Sequence, residues 1–279
     1  MGTLFVVATP IGHLDDVSLR ALRVLGEADL LFAEDTRRTR ILLDHHGIAA
    51  KPVSLHTHNE AARCERALEA LELGRSVALV SDAGTPLLSD PGERLVAAAI
   101  EAGHRVEAIP GASAVLTALA ASGLPAQPFA FVGFPPRKNG ARRALFESYR
   151  ERPETLILFE SPRRVGKTLG ELAECMGPER RACLARELTK LHEEFARGTL
   201  AELAARFSEG ARGEVTLVVE GASGEPAGLA DADLDARIRE LLAGGERARD
   251  IAAVLAAESH RPRREVYARV VALRGEDAS

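Results

Sequence analysis

At 279 residues the chain is long enough for two domains, and 46% hydrophobic with 28% charged residues is the balance of a globular fold. A net charge of −5 excludes nucleic-acid binding driven by overall charge, though not a local basic patch, and aromatics at 4% with no Trp exclude a wide base-stacking platform. No stretch approaches the roughly 20 apolar residues of a membrane span, and the apolar run at 4–8 is too short, and lacks the basic start, for a signal peptide. Cys64, Cys175 and Cys183 are odd in number and form no CxxC pair, which implies a reducing cytoplasm without a disulfide framework or structural zinc.

Residues 3–8 (TLFVVA) form a buried strand by their β-branched and large apolar content, ending in Thr9-Pro10-Ile11-Gly12-His13. Asp15 or Asp16 is placed to cap the next helix, where Val17, Ala21, Val24 and Leu25 recur at helical spacing. A strand at 30–33 ends in the charged cluster Glu34-Asp35-Thr36-Arg37-Arg38, and a helix runs on through Leu43 to a stop at Gly47. A short strand at 53–55 leads through His56-Thr57-His58 to Asn59, a cap for a helix at 60–73.

The next strand, at 77–80, opens into a loop at 81–92 dense in Gly, Pro, Ser and Asp, and a helix follows at 93–102. Such a loop at the carboxyl end of a buried strand is where open α/β sheets bind ligands, and it exceeds the ordinary βα loop of about 2–6 residues. Gly84 permits close backbone approach, Pro86 and Pro91 stiffen the loop, and Asp82 places a carboxylate at the strand end. A strand at 105–109 leads through Pro110-Gly111-Ala112-Ser113-Ala114 into a small-residue helix at 115–121. The strict alternation predicts a mostly parallel α/β sheet.

Gly123, Pro125 and Pro128 mark a boundary, giving a first α/β domain at 1–123 and a second at 124–222. The second has strands at 129–133, 155–159, 182–185 and 214–219, with helices after 140 and at 164–175. Its basic loop carries Arg137 and Lys138, and Arg142 and Arg143 follow on the helix, a local patch of the kind phosphate contacts require. A Gly/Pro/Ser linker at 221–228 precedes a tail at 229–279 of two or three short helices, broken at Gly244-Gly245 and Pro262. The tail reads as a small appendage that packs or dimerises, with a helix-turn-helix module as the alternative.

Two cofactor patterns are absent. The stretch 161–168 ends in Gly-Lys-Thr like a P-loop, but Ser161 stands where that pattern needs its first Gly and Pro162 and two arginines fill the loop; Arg163, Arg164 and Lys167 read as a helix start or an anion contact. No G-x-G-x-x-G follows the first strand, so a nicotinamide cofactor has no support. His56, His58, Glu34 and Asp35 share a rim, but alternate residues of an extended segment point apart, and no metal is expected there. Glu34, Asp35 and Arg37 can orient a polar substrate or hold an ion pair, with Asp35 or Thr36 also able to cap a helix. Glu187 and Lys190, in the run 186–194, bring acid, base and hydroxyl groups together or form a solvated charged loop.

Six motifs in order carry a family resemblance: 4–12 (LFVVATPIG), 33–37 (AEDTR), 81–92 (SDAGTPLLSDPG), 109–113 (IPGAS), 159–163 (FESPR) and 186–190 (RELTK). Together the chain resembles the ribosomal RNA small subunit methyltransferase I family, of the tetrapyrrole methylase superfamily, over about residues 3–221. The resemblance implies two α/β domains with S-adenosylmethionine in the cleft between them, a homodimer, and methyl transfer to the ribose 2′-oxygen of a cytidine in the decoding region of 16S rRNA. Carried over, Pro10, Asp82, Ala83, Gly84, Pro86, Ala112 and Ser113 are donor contacts, with Phe159 and Val215 as walls for the adenine or methionine. His13 departs from the Asn usual after Pro-Ile-Gly, and an imidazole replaces only some amide hydrogen bonds.

In-line transfer from a sulfonium needs positioning above all, an effect that can supply roughly 7–11 kcal/mol. The hydroxyl acceptor is weakly acidic, so a base or cation helps, and Glu34, Asp35, Arg37, Glu187 and Lys190 are the candidates. Two alternatives stand beside this reading. One is a tetrapyrrole C-methyltransferase, disfavoured because the first loop reads TPIGHLD rather than G-x-G-x-G-D. The other is a non-enzymatic RNA-binding assembly factor, disfavoured by polar clusters at several strand ends.

Overall fold

A computed structural model describes residues 1–56, 59–222, 231–259 and 261–276. In the first half, five short segments, most of them apolar, become strands β1 (Thr3–Val7), β2 (Leu30–Ala33), β3 (Pro52–Ser54), β4 (Ser76–Val80) and β5 (Arg105–Ile109), and each is followed by a helix: α1 (Leu19–Glu27), α2 (Thr36–His45), α3 (Glu60–Glu72), α4 (Glu93–Glu101) and α5 (Ala114–Ser122). The sheet order is β3-β2-β4-β1-β5 with every pair parallel. All five carboxyl ends therefore share one edge, and the loops after β1, β2, β4 and β5 gather there. Alternate strand residues feed two cores. Leu4, Phe32 and Leu79 pack with Leu71 and Leu95 of α3 and α4, while Val7, Leu31 and Ala78 pack with Leu25 and Leu43 of α1 and α2.

The helix starts refine the sequence expectation. Ser18, not Asp15 or Asp16, caps α1, its hydroxyl accepting from the Ala21 N–H at 3.1 Å. Asp35 caps α2, accepting from the Arg37 N–H at 2.8 Å. Asn59 precedes α3 without a capping bond, because its amide accepts from the His56 N–H and donates to the Ser54 carbonyl instead.

The second sheet is mixed. Its strands β6 (Phe129–Phe131), β7 (Thr155–Glu160), β8 (Arg181–Arg186), β9 (Glu194–Thr199) and β10 (Val215–Val219) lie in the order β6-β7-β10-β8-β9. Only β6 and β7 pair in parallel. Helices α6 (Asn139–Ser148), α7 (Val165–Met176) and α8 (Leu200–Arg206) complete it. Strand β9 and helix α8 are additions to the sequence reading. The strand is an edge, and its charges suit an edge rather than a buried run. A capping box, Thr199 with Glu202, starts α8 and was the available signal.

Both sheets belong to one compact unit, residues 1–150 and 154–220. What joins them is α5. Its Val115, Ala118 and Leu119 lie on one face and share a core with Ile11 of the first loop and with Ile157, Cys183 and Val218 of the second sheet. Arg197 of β9 caps the end of α5, donating to the Ala121 and Ser122 carbonyls at 2.6 and 3.0 Å. The three cysteines are free and buried, and burial pushes each thiol up from its ordinary value. Among the described residues no helix is long and apolar enough to cross a membrane.

The second unit, residues 151–153 with the chain from 221, holds three helices, α9 (Asp231–Ala243), α10 (Ala248–Ser259) and α11 (Arg263–Glu276). Leu234, Ile238, Ile251, Leu255, Val266 and Val270 form its core, and Arg269 ties α11 to α9 through Asp235 at 2.5 Å. Residues 223–230 of the expected linker and tail start lie outside the described residues.

One member of the expected basic patch is corrected here. Arg142 is only 4% exposed. Its Nε and Nη2 donate to the two Glu171 carboxylate oxygens at 2.5 and 2.6 Å, and its Nη1 donates to the Pro136 and Arg137 carbonyls at 3.3 and 3.0 Å. It anchors the basic loop to α7 and has no donor to spare for phosphate. Arg142→Ala is expected to destabilise the first unit by about 3–5 kcal/mol, because Glu171 is left buried with only the exposed Lys167 at 3.9 Å to answer its charge. Arg142→Met with Glu171→Leu should recover most of that loss, and urea unfolding of both variants checks the pair.

Candidate active site

The organising feature is the junction of the loops after β1 and β4. Gly84, at φ +81°, exchanges both backbone hydrogen bonds with Thr9, at 2.9 and 3.0 Å, and the Thr9 hydroxyl donates to the Ser81 carbonyl at 3.3 Å. Beyond this bridge the loop is strained: Leu87 and Ser89 sit at φ 76° and 73°, where non-glycine residues are uncommon. Strain of this kind persists only when the surroundings over-determine it, and it clusters at ligand sites. Facing the loop are the ends of β7 and β10. Between them lies a cavity of about 360 Å³, within the range of small-molecule sites.

Five carboxylates line this cavity, Glu160 and Glu214 on the side of the second sheet and three on the side of the first. Glu34 and Asp82 come from the ends of β2 and β4, and Asp90 comes from the far part of the loop. Asp82 Oδ1 accepts from the Asp35 N–H at 2.8 Å, which locks the β2 and β4 ends together. Burial pushes the Glu34 carboxyl up, with Asp82 and Asp90 adding repulsion. Burial pushes Asp90 up to about 6, Asp82 adding to it while a Ser81 hydrogen bond opposes. Arg38 answers this charge from the first turn of α2. Its Nε stands 3.7 Å from Asp82 Oδ2 and its Nη1 stands 3.9 Å from Glu214 Oε1, so one guanidinium spans the mouth from the first sheet to the second. A second, shallower concavity shares Glu34, Ser89 and Asp90 with the first and continues past Glu60 and Arg94.

The residues singled out in the sequence divide into three groups. Glu34, Asp82, Ala83, Gly84, Ser113, Phe159 and Val215 line the cavity. Pro10 and Pro86 are buried behind it, where they shape the two loops, and Ala112 backs Gly84 through its carbonyl. Asp35, Arg37, Glu187 and Lys190 do not line it. Asp35 accepts from Arg37 Nε and Nη2 at 3.0 and 2.7 Å, which holds its carboxyl down at about 2. Lys190 Nζ donates to Glu187 Oε1 at 2.9 Å and to Glu214 Oε2 at 3.1 Å. Glu187 and Thr189 also take φ of 51° and 62°, and a Cβ on Gly12 would stand 2.6 Å from Thr189 Oγ1 and Lys190 Cγ. The segment 186–190 is thus a clamp on the first loop, to which His13 adds its N–H on Thr189 Oγ1 at 3.0 Å.

Arg137 and Lys138 are exposed just before α6, while Arg143 is paired with Glu174. At the P-loop look-alike, Arg164 Nη2 and the Thr168 hydroxyl both donate to the buried Glu160, at 3.2 and 2.6 Å, so side chains fill the space a phosphate would take. Of the histidines weighed for a metal, His58 lies outside the described residues. Sequence reasoning missed Arg38, Asp90, Glu214 and Phe134 as cavity residues. Asp90 sits inside the loop already singled out and Arg38 next to the charged cluster, but neither carries a signal of direction.

Residues 3–204 match the sequence model of the Tetrapyrrole (Corrin/Porphyrin) Methylases. The chain belongs to the tetrapyrrole methylase family. Within it, the chain is 49% identical over 231 residues to Ribosomal RNA small subunit methyltransferase I of Mesorhizobium japonicum, covering 81% of this chain and 79% of that one. It is 45% identical to the protein of that name from Synechocystis sp., covering 96% of both. Among solved structures, uroporphyrin-III-C-methyltransferase from Thermus thermophilus superposes with a TM-score of 0.57 at 25% identity, over 79% of this chain and 94% of that one. The two-sheet architecture is accordingly the tetrapyrrole methylase fold.

The raised Asp90 carboxyl has a stability consequence. Unfolded, it ionises near its ordinary 3.8; folded, near 6. The folded state therefore holds the extra proton between those values, and stability falls as pH rises through that window, then levels. Asp90→Asn is expected to remove this fall and to gain about 1 kcal/mol above pH 6 after solvent screening, read from denaturation curves between pH 4 and 8.

Proposed function

We propose that this chain transfers the methyl group of S-adenosylmethionine to the 2′-oxygen of a cytidine ribose in the decoding region of 16S rRNA. The observation that carries the reading is the near-full-length identity to ribosomal RNA small subunit methyltransferase I relatives, together with a cavity at the family's strand ends. The donor fits that cavity by size and by charge: an apolar wall at Phe159 and Val215 suits an adenine, and the carboxylates Glu34 and Asp82 suit a cationic ligand. Ala83, Gly84 and Ser113 offer close backbone and small side chains, with Pro10, Pro86 and Ala112 holding them in place. When bound, the donor supplies a methyl group already activated on a sulfonium.

The acceptor enters from the second concavity. Glu34, Ser89 and Asp90 line both spaces, so the acceptor hydroxyl meets the donor beside them. Asp90 is the base in this reading: with its carboxyl near 6 it is ionised at neutral pH yet close enough to neutrality to accept a proton usefully. The donor would supply its methyl to the acceptor oxygen as its sulfur–carbon bond is given up, and Asp90 would take the hydroxyl proton and pass it to water. Arg38, Asp35, Arg37, Glu187 and Lys190 position this machinery. Exposed Arg137 and Lys138, at the N-terminal end of α6 where an anion is favoured, serve the RNA backbone, with 58%-exposed Phe134 beside the cavity as a surface for a base. A cytoplasmic homodimer belongs to the same reading.

Tritium transfer from labelled S-adenosylmethionine to small subunits lacking the modification, with naked rRNA and a tetrapyrrole precursor alongside, tests the whole. Label on a ribose of the subunit is expected; label on the tetrapyrrole alone would overturn the acceptor. Asp82→Ala should weaken donor binding about 10- to 100-fold by calorimetry, the scale of a lost charged hydrogen bond. Arg137→Glu with Lys138→Glu should cut RNA methylation while leaving donor affinity unchanged, and full activity at raised salt would remove these residues from the RNA path.

A further inference from the structure

A separate cluster lies where the loop between β1 and α1 meets the C-terminal end of α2. One ligand atom from each of Asp15, His45 and His46 lies within 4.8 Å of the other two. His45 Nε2 stands 3.2 Å from Asp15 Oδ1, while His13 Nδ1 accepts the Asp15 N–H at 3.3 Å and stands 3.9 Å from Asp15 Oδ2, which leaves its Nε2 as the nitrogen free to ligate. The His45 and His46 rings meet edge to face with centroids 4.7 Å apart. Three of the eight histidines in the chain thus gather around one carboxylate. Asp15, His45 and His13 are exposed, so solute ions reach them.

The geometry is that of a metal site more than of an ion pair. An Asp–His pair needs one imidazole, whereas here two adjacent ones from the end of a helix converge on the same carboxylate as a third from a loop. Ligand atoms on a tetrahedral zinc ion, with bonds of about 2.0–2.1 Å, stand about 3.3–3.4 Å from one another, close to the His45–Asp15 separation. His46 Nε2 lies 3.2 Å from the Leu14 carbonyl, and donating there leaves the other ring nitrogen as the lone-pair donor, the usual way a ligating imidazole is oriented. The last carbonyls of α2 add partial negative charge on the same side. Imidazole nitrogens with one carboxylate select zinc-class transition ions over magnesium or calcium, which prefer oxygen alone.

We propose that Asp15, His45 and His46, with His13 as the rim ligand, bind one divalent transition-metal ion of the zinc class. Occupancy staples the β1–α1 loop to the end of α2. That loop continues from Gly12, which lies against the 186–190 segment, so the ion steadies one wall of the cleft without entering it.

Calorimetric titration of zinc chloride into the chelator-treated full chain tests this, with magnesium chloride as comparison. One zinc per chain is expected, with no magnesium binding at the same concentrations. His45→Ala and His46→Gln should each weaken zinc at least about 10-fold, His13→Asn should weaken it less, and zinc should raise the melting temperature of the wild type but not of the His45→Ala/His46→Gln double variant. Cobalt should give the visible bands of tetrahedral ligation in the wild type and lose them in Asp15→Asn. Circular dichroism of the variants confirms that each still folds. Absence of stoichiometric zinc uptake, or uptake unchanged in a folded double variant, would overturn the site.

Discussion

The apolar seam made by α5 is the contact on which the rest depends. Val115, Ala118 and Leu119 are buried against Ile11 of the first loop and against Ile157, Cys183 and Val218 of the second sheet. Each large side chain there contributes about 1.5–3 kcal/mol by leaving water, and none of that is gained by either half alone. A helix that belongs to the first sheet by connectivity therefore belongs to the second by packing. The consequence is that the carboxyl edge of a parallel sheet is held facing the ends of two antiparallel strands, with a cavity between them.

Around that cavity the structure concentrates features that are costly for folding. On the side of the first sheet three carboxylates converge, two of them displaced upward by burial and mutual repulsion. Among the described residues four non-glycine residues occupy left-handed backbone, two on the loop at 81–92 and two on the segment that clamps the first loop. These are offset by Arg38 across the mouth and by the Lys190–Glu187–Glu214 cluster, which clamps the first loop through Gly12 and His13. A site that must align two reactants tolerates such strain because alignment, rather than bond polarisation, is what methyl transfer from a sulfonium requires.

The basic region shows how charge runs divide between structure and surface. Arg137, Lys138, Arg142 and Arg143 look equivalent in sequence. In the fold, Arg142 is a buried strut, Arg143 is paired across to Glu174 of α7, and Arg137 and Lys138 are exposed. A guanidinium reaches a distant carboxylate such as Glu171 as readily as a phosphate, and linear order does not reveal which partner lies within reach.

The parallel sheet, the cavity-lining loop at 81–92 and the family were legible from residue order alone. Period-two and period-3.6 hydrophobicity, together with Gly and Pro at turns, are local properties that survive in any context. Residue order also narrowed the cap of α2 to Asp35 or Thr36, since capping spans three residues, and the structure takes Asp35. What only tertiary structure decided was which polar groups converge: Asp90 with Glu34, Arg38 with Glu214, Asp15 with His45 and His46. Each of these pairs comes from separate elements, and side-chain direction across a loop is set by packing rather than by spacing. Strand β9 was hidden for the same reason: its pairing with β8, not its composition, makes it a strand.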